Sequence, residues 1–175
     1  MGLCKPADSN KLENTNNSNN NVYAYIAPEI LRGQNYAKAA DVYSFGIIMY
    51  EVFSGLSPYH NVNHDYDLAL KICQGLRPRL DIKVPQLFVH LIKRCLDANQ
   101  LNRPTAGEIQ NILGQWIKKD EKTEETELQR QIKEADEINN QTCNVTSISL
   151  SYKTHSEATY TSRLLNFNNL PEPKN

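Results

Sequence analysis

The stretch Asp41 to Gly55, Asp-Val-Tyr-Ser-Phe-Gly-Ile-Ile-Met-Tyr-Glu-Val-Phe-Ser-Gly, constrains the fold more than any other part of the chain. At helical spacing Val42, Phe45, Met49, Val52 and Phe53 form an apolar stripe. Tyr43, Ile47, Ile48 and Tyr50 cover most of the remaining surface, leaving Ser44 and Glu51 as the clearly polar members. A helix that is apolar nearly all round must be enclosed nearly all round. With an acid, a serine and a glycine it is too short and too polar to span a bilayer. It is therefore expected to be the central helix of a helix-packed body. Asp41 stands where an N-cap belongs, and Gly55 is a natural C-terminal stop.

Two further strings flank this helix: Tyr25-Ile26-Ala27-Pro28-Glu29-Ile30-Leu31 before it and Leu101-Asn102-Arg103-Pro104-Thr105 after it. In that order and at those separations, the three stretches resemble the late part of a protein kinase domain. The Ser44-Phe45-Gly46 wording is similar to that of tyrosine-kinase-like serine/threonine kinases. The resemblance covers roughly Met1 to Lys118 and implies the helical C-terminal lobe of that fold. It marks Ala27, Pro28, Glu29, Asp41, Gly46 and Arg103 as structural motif residues. It also implies that Glu29 and Arg103 form a buried ion pair pinning the activation segment to the lobe. A guanidinium suits a carboxylate because two parallel hydrogen bonds join them; two unrelated surface charges is the blander alternative. Asp41 matches an aspartate that hydrogen-bonds the catalytic loop in relatives, and in this chain it is expected to cap its own helix.

The same resemblance makes the beginning of the chain conspicuous. Met1-Gly2-Leu3 looks like the end of a metal-binding Asp-Phe-Gly triplet without its aspartate. Asp8 to Asn21 then occupies the place of an activation loop; it is dense in asparagine and holds a single apolar residue. Ser9, Thr15 and Ser18 are candidate phosphate acceptors there, beside the plainer reading of a low-complexity loop. Relatives usually carry a Gly-Thr or Gly-Val pair a few residues ahead of the Ala-Pro-Glu string, whereas Asn21-Val22-Tyr23-Ala24 has no glycine. The substrate-contacting loop is thus expected to be rewritten.

Further along, Pro28 opens a short helix that Gly33 closes. Asn63-His64-Asp65 caps a helix with Leu68, Leu70 and Ile72 inward, and His64 is expected at the surface. Pro85 opens another, with Phe88, Leu91, Ile92, Cys95 and Leu96 inward. Thr105-Ala106-Gly107-Glu108 reads as a capping box before Ile109, Ile112, Leu113, Trp116 and Ile117. With no convincing strand, the body is expected to be all-α. From Asp120 to Asn140 an amphipathic charged helix is expected, with Leu128, Ile132, Ala135 and Ile138 on one face. The expected organisation is a 1–21 remnant, a 22–118 lobe, a 119–140 helix and a largely disordered 141–175 tail. That tail resembles those following kinase domains in an expanded fungal kinase-like group.

Composition narrows the partners. A net charge of −1 gives no reason to propose nucleic acid or an anionic membrane surface. The four cysteines stand singly, without metal-ligand spacing, as reduced thiols would. Met1-Gly2 lacks the Ser or Thr of a myristoylation signal, since Pro6 occupies that position. No apolar run suggests a signal peptide or membrane span, so a cytoplasmic or nuclear protein is expected.

Phosphoryl transfer needs a glycine-rich phosphate loop, a lysine–glutamate pair, an aspartate base and magnesium ligands. The seven glycines never fall as G-x-G-x-x-G, and no His-Arg-Asp string is present. ATP and magnesium, which an intact relative uses, are therefore expected to have no site in this chain. The readings that follow are a truncated, inactive kinase lobe; an interaction module that competes for kinase partners or substrates; and a lobe completed by a second chain. Lacking the helices and catalytic loop that precede it in relatives, the central helix is expected to leave some of Tyr43, Ile47, Ile48 and Tyr50 uncovered, with self-association as a consequence.

Overall fold

A computed structural model describes residues 20–21, 23–80, 83–118, 125–145, 153–161, 163–164, 167 and 169–175. Its elements are β1 (Asn20–Asn21), α1 (Pro28–Leu31), α2 (Lys38–Ser54), α3 (Tyr66–Cys73), α4 (Gln86–Cys95), α5 (Ala106–Trp116), α6 (Glu127–Val145) and β2 (Arg163–Leu164). Two 3-10 turns, Tyr23–Tyr25 and Gln100–Asn102, complete the set. The body is helical. Among the described residues, the departure from helix is the two-residue antiparallel pairing of β1 with β2, which joins Asn20 to Leu164 and Asn21 to Arg163. Ser9, Thr15 and Ser18 lie outside the described residues.

The central helix α2 begins at Lys38, one turn earlier than the sequence suggests. Its N-cap is Ala37, in extended conformation and without a side-chain cap. Asp41 therefore stands inside the first turn, where its charge suits the helix dipole, and its carboxylate accepts the Tyr36 hydroxyl at 2.8 Å. Three alanines at 37, 39 and 40 favour this earlier start, because alanine loses the least on entering a helix. The far end stops at Gly55, left-handed at φ 67°, whose N–H bonds the Glu51 carbonyl.

Helix α2 packs chiefly on α4, and Gly46 sets how closely. A β-carbon at Gly46 would lie 2.8 Å from Cys95 Cβ and 2.9 Å from Leu96 Cδ2. Phe53 then meets Phe88 at 4.5 Å between ring centres, and Phe88 meets the edge of Trp116 at 5.0 Å. This aromatic chain links α2, α4 and α5. Of Tyr43, Ile47, Ile48 and Tyr50, some of them expected to lack cover, Ile48 is exposed and the other three are buried. Beside Ile48 lies Val52, which is 74% exposed although the sequence pattern places it on the inner stripe. The helix is enclosed on three sides, and its one outward edge runs through 48 and 52.

The other helices are started by identifiable groups. The Asp65 carboxylate accepts the Leu68 N–H and opens α3. Thr105 and Glu108 form the reciprocal capping box of α5, at 3.2 Å and 2.7 Å; the hydrogen bonds from Thr105 hold the Glu108 carboxyl below its ordinary range. Ile117, expected inside, falls beyond the end of α5 and is 70% exposed. Helix α6 starts at Glu127 rather than Asp120, behind a second reciprocal cap between Thr126 and Gln129. Ala135 is buried, while Ile132 and Ile138 remain partly open. Two amides fasten α6 to the lobe: Asn139 exchanges both hydrogen bonds with the Lys83 backbone at 2.9 Å, and Gln131 accepts the Leu87 N–H at 3.1 Å. That Leu87 N–H is one of the free donors of α4, which Pro85 cannot cap with its own side chain.

The tail, expected to be largely without fixed structure, lies on the lobe wherever it is described. The His155 N–H donates to the His60 carbonyl at 2.7 Å, and the Lys174 N–H donates to the Cys73 carbonyl at 2.9 Å. Leu170 is buried among core residues.

Gly46→Ala and Gly114→Ala separate close approach from helix propensity. The first should lose about 1–3 kcal/mol to overpacking, outweighing a propensity gain of up to about 1 kcal/mol. The second, with nothing within 4 Å of its new methyl, should gain about 0.5–1 kcal/mol. Urea denaturation of both variants checks this, and a more stable Gly46→Ala protein would refute the role given to Gly46.

Candidate functional site

The most tightly organised polar group in the lobe is built on Glu29 and Arg103. Ala27 is extended and leads into Pro28, whose fixed φ starts α1 without wasting an N–H. Glu29 follows in the first turn, buried with its neighbours. Arg103 is held extended, at φ −70° and ψ 142°, because it precedes Pro104. Its side chain runs inward to meet Glu29 as a fork: Nη1 to Oε1 at 2.6 Å and Nη2 to Oε2 at 2.8 Å. Side-chain exposure is 0% for Arg103 and 6% for Glu29.

All five guanidinium donors are used. Nε donates to the Asp97 carbonyl at 2.8 Å, Nη1 also to the Ala39 carbonyl at 3.0 Å, and Nη2 also to the Ala98 carbonyl at 3.4 Å. One side chain therefore ties α1, the first turn of α2 and the loop after α4. The Tyr43 ring lies beneath it, 5.1 Å from Cζ, and receives Arg77 at 5.5 Å as well. Burial pushes the Tyr43 phenol up, and the Arg77 guanidinium pulls part of that back.

Arg77 was not singled out by sequence reasoning. Its Nε donates to the Leu96 carbonyl and its Nη1 to the Ile72 and Leu76 carbonyls, at 2.8–2.9 Å. It thereby joins the carbonyls of Ile72 near the end of α3, Leu76 just beyond it and Leu96 just past α4. A cation directly after a helix-ending glycine, in Gly75-Leu76-Arg77, is the signal that could have identified it.

A second polar group surrounds Glu51. Its carboxylate accepts the Tyr25 hydroxyl at 2.7 Å and the Ser57 hydroxyl at 3.1 Å. Ser44 reaches back to the Tyr25 carbonyl at 2.8 Å, so the two polar members of α2 both hold the Tyr23–Tyr25 turn or its neighbour loop. Burial first, and then Glu51, push the Tyr25 phenol well above its ordinary range. The same two influences raise Tyr160 to about 12.

His64 is not at the surface: it is 1% exposed. Nε2 lies 3.2 Å from the Tyr59 carbonyl, and Nδ1 lies 2.9 Å from the Thr159 carbonyl and accepts within 3.2 Å of the Thr159 N–H. The tail buries it, so the local sequence around 64 could not reveal its fate. Of the motif residues, Ala27, Pro28, Glu29 and Arg103 cluster, Gly46 lies at the α2–α4 contact, and Asp41 stands apart at the exposed start of α2. Among the described residues no three His, Cys, Asp or Glu side chains converge as metal ligands.

The Glu29–Arg103 pair makes a definite thermodynamic demand. Glu29→Ala or Arg103→Ala alone should destabilise the protein by about 3–5 kcal/mol, since each strands the other charge. The double variant should cost clearly less than the sum. Strict additivity in a denaturation cycle would contradict the pairing.

Residues 1–113 match the family described as protein tyrosine and serine/threonine kinase. A protein of Acanthamoeba polyphaga mimivirus, provisionally named a serine/threonine-protein kinase/receptor, is 37% identical over 99 residues, which is 57% of this chain and 6% of that protein. A Dictyostelium discoideum protein named a probable serine/threonine-protein kinase is 30% identical over 118 residues, 67% of this chain and 8% of its own length. A dual specificity protein kinase of the same organism is 40% identical over 87 residues, 49% of this chain and 12% of its length. The chain thus spans only a small part of the curated relatives it matches.

Proposed function

The chain belongs to the protein tyrosine and serine/threonine kinase family, and on that premise we propose that it is the helical scaffold of a serine/threonine protein kinase that does not transfer phosphate by itself. The observation that carries this reading is the buried Glu29–Arg103 fork. It fixes the end of the segment before α1 to the body of the lobe, which is a positioning task.

The residues present do not fit a nucleotide or its metal. Gly33, Gly55 and Gly75 have positive φ and each follows the end of a helix, so they serve as stops and do not cradle phosphates. No described set of carboxylates converges where magnesium could sit. We accordingly derive no phosphoryl-transfer step for this chain. Its contribution is to hold protein partners or substrates of a kinase on the helical lobe, in the cytoplasm, without contact to nucleic acid or membrane. No helix among the described residues is long and apolar enough to cross a membrane.

A second reading, that the lobe acts as a non-catalytic interaction module competing for kinase partners, is favoured by one observation. Tyr43, Ile47 and Tyr50 are covered within this chain, so the lobe closes most of its own core. The outward edge at Ile48 and Val52 is then the natural place for self-association.

Two measurements check these readings. Calorimetry of the purified chain with ATP–magnesium at millimolar concentration should give no saturable heat; a saturable isotherm would overturn the scaffold reading. Sedimentation velocity should show concentration-dependent association that Ile48→Glu with Val52→Glu abolishes. A wild-type chain that is monomeric throughout would remove self-association from the proposal.

A further inference from the structure

The described residues between 153 and 175 make an extended strap whose contacts have the character of a bound peptide. It adds a strand at one point, where Arg163–Leu164 pair antiparallel with Asn20–Asn21. It makes further backbone bonds at separated places: His155 N–H to the His60 carbonyl at 2.7 Å, His64 N–H to the Glu157 carbonyl at 3.3 Å, and Lys174 N–H to the Cys73 carbonyl at 2.9 Å. Between these bonds, side chains enter discrete seats. The Tyr160 hydroxyl donates to the Pro58 carbonyl at 3.0 Å, and the Tyr160 ring meets His64 edge-on at 4.9 Å. Phe167 packs on the Tyr23 ring at 5.3 Å and on Tyr66 at 6.1 Å. Leu170 is buried, and Glu172 pairs with Arg32 at the rim. Main-chain bonds for affinity with spaced side-chain seats for specificity is how sheet edges and grooves recognise extended peptides.

The lobe side of this contact is largely prearranged without the strap. Tyr23 donates to the Asp65 carbonyl, Asp65 caps α3, and Asn63 donates to Asp65 at 2.8 Å. The seat for Phe167 and Tyr160 is thus framed by residues that hold one another. By contrast, the strap's described contacts are to the lobe and within short turns of its own, such as Ala158 N–H to the His155 carbonyl.

We propose that the face formed by Asn20–Asn21, Tyr23, the 58–66 loop and α3 is a peptide-docking groove. Its resident occupant is the chain's own 153–175 segment, bound in cis and displaceable. The groove takes an extended protein segment that presents Tyr, Phe, Leu and Glu in the order and spacing of Tyr160, Phe167, Leu170 and Glu172. A partner segment of that pattern reaches the lobe only by displacing the tail. The short stretch 146–152 between α6 and the strap gives the tail an effective concentration on the order of millimolar, so a competing peptide must bind well to win. This inference does not depend on the kinase scaffold reading, since it concerns only the tail and the surface beneath it.

The test uses the full chain and a fluorescent peptide of residues 153–175. Wild-type chain should bind the peptide at least about tenfold more weakly than a chain carrying Phe167→Ala and Leu170→Ala, because the variant's own tail no longer holds the groove. A peptide carrying the same two changes should bind neither. Because that double variant removes apolar anchors, a Glu172→Arg chain provides a rim change that leaves the core intact; it too should bind the peptide more tightly than wild type. Arg32→Glu should weaken binding to the Glu172→Arg chain, and a peptide with Glu172→Arg should restore it. Equal affinity for wild-type and Glu172→Arg chains, or no binding by a Phe167→Ala/Leu170→Ala chain with an unchanged cooperative melt, would overturn the proposal.

Discussion

The Arg103 guanidinium is the point on which the lobe depends. A charge buried without compensation is untenable, and this one is compensated completely: two bonds to Glu29, three to backbone carbonyls, and a Tyr43 ring beneath. Those partners are spread over three places, Glu29 on α1, Ala39 and Tyr43 on α2, and Asp97 and Ala98 in the loop after α4, so satisfying one side chain fixes their relative positions. Hydrophobic burial favours compaction without direction, and the five directional donors of Arg103 select one arrangement among the compact ones. Tyr43 extends the constraint, because Arg77 on its ring also holds the ends of α3 and α4.

Within that frame the close contact of α2 with α4 is a matter of space. Gly46 lets the α4 side chains Cys95 and Leu96 reach the α2 backbone, and burial there raises the Cys95 thiol to about 11. A reduced, uncharged thiol then packs as a small hydrophobe. The aromatic run Phe53, Phe88 and Trp116 continues the same interface to α5. The edge of α2 that carries Ile48 and Val52 stays exposed.

The segments after α5 change what the lobe presents. Helix α6 supplies amide caps to Lys83 and to the first turn of α4, and the strap buries His64 and seats Leu170. In consequence the surface beside the Tyr23–Tyr25 turn, which adjoins the Glu29–Arg103 node through α1, is occupied by the chain itself. The pair of Arg32 with Glu172 fixes the register of the tail at the rim.

Local signals in the sequence determined the helices, their caps and the polar residues worth watching. The apolar run of α2, the Asp65 and Thr105–Glu108 caps, and Pro28 and Gly55 at helix ends act within a few residues of themselves, so they can be read in one dimension. Glu29 and Arg103 were marked as a pair by the resemblance to protein kinase domains, and only the fold puts their carboxylate and guanidinium within 2.6–2.8 Å. The early start of α2 was obscured because Asp41 offers a cap signal while the alanines before it offer none. The fates of Val52, His64, Ile117 and the described tail residues were decided by tertiary structure alone. Each depends on which distant surface arrives at that position, and periodicity records a face without naming its neighbour. His64 is the plainest case: it follows a turn and precedes a helix cap, as a surface histidine would, and it is buried because Thr159 and Tyr160 are laid over it.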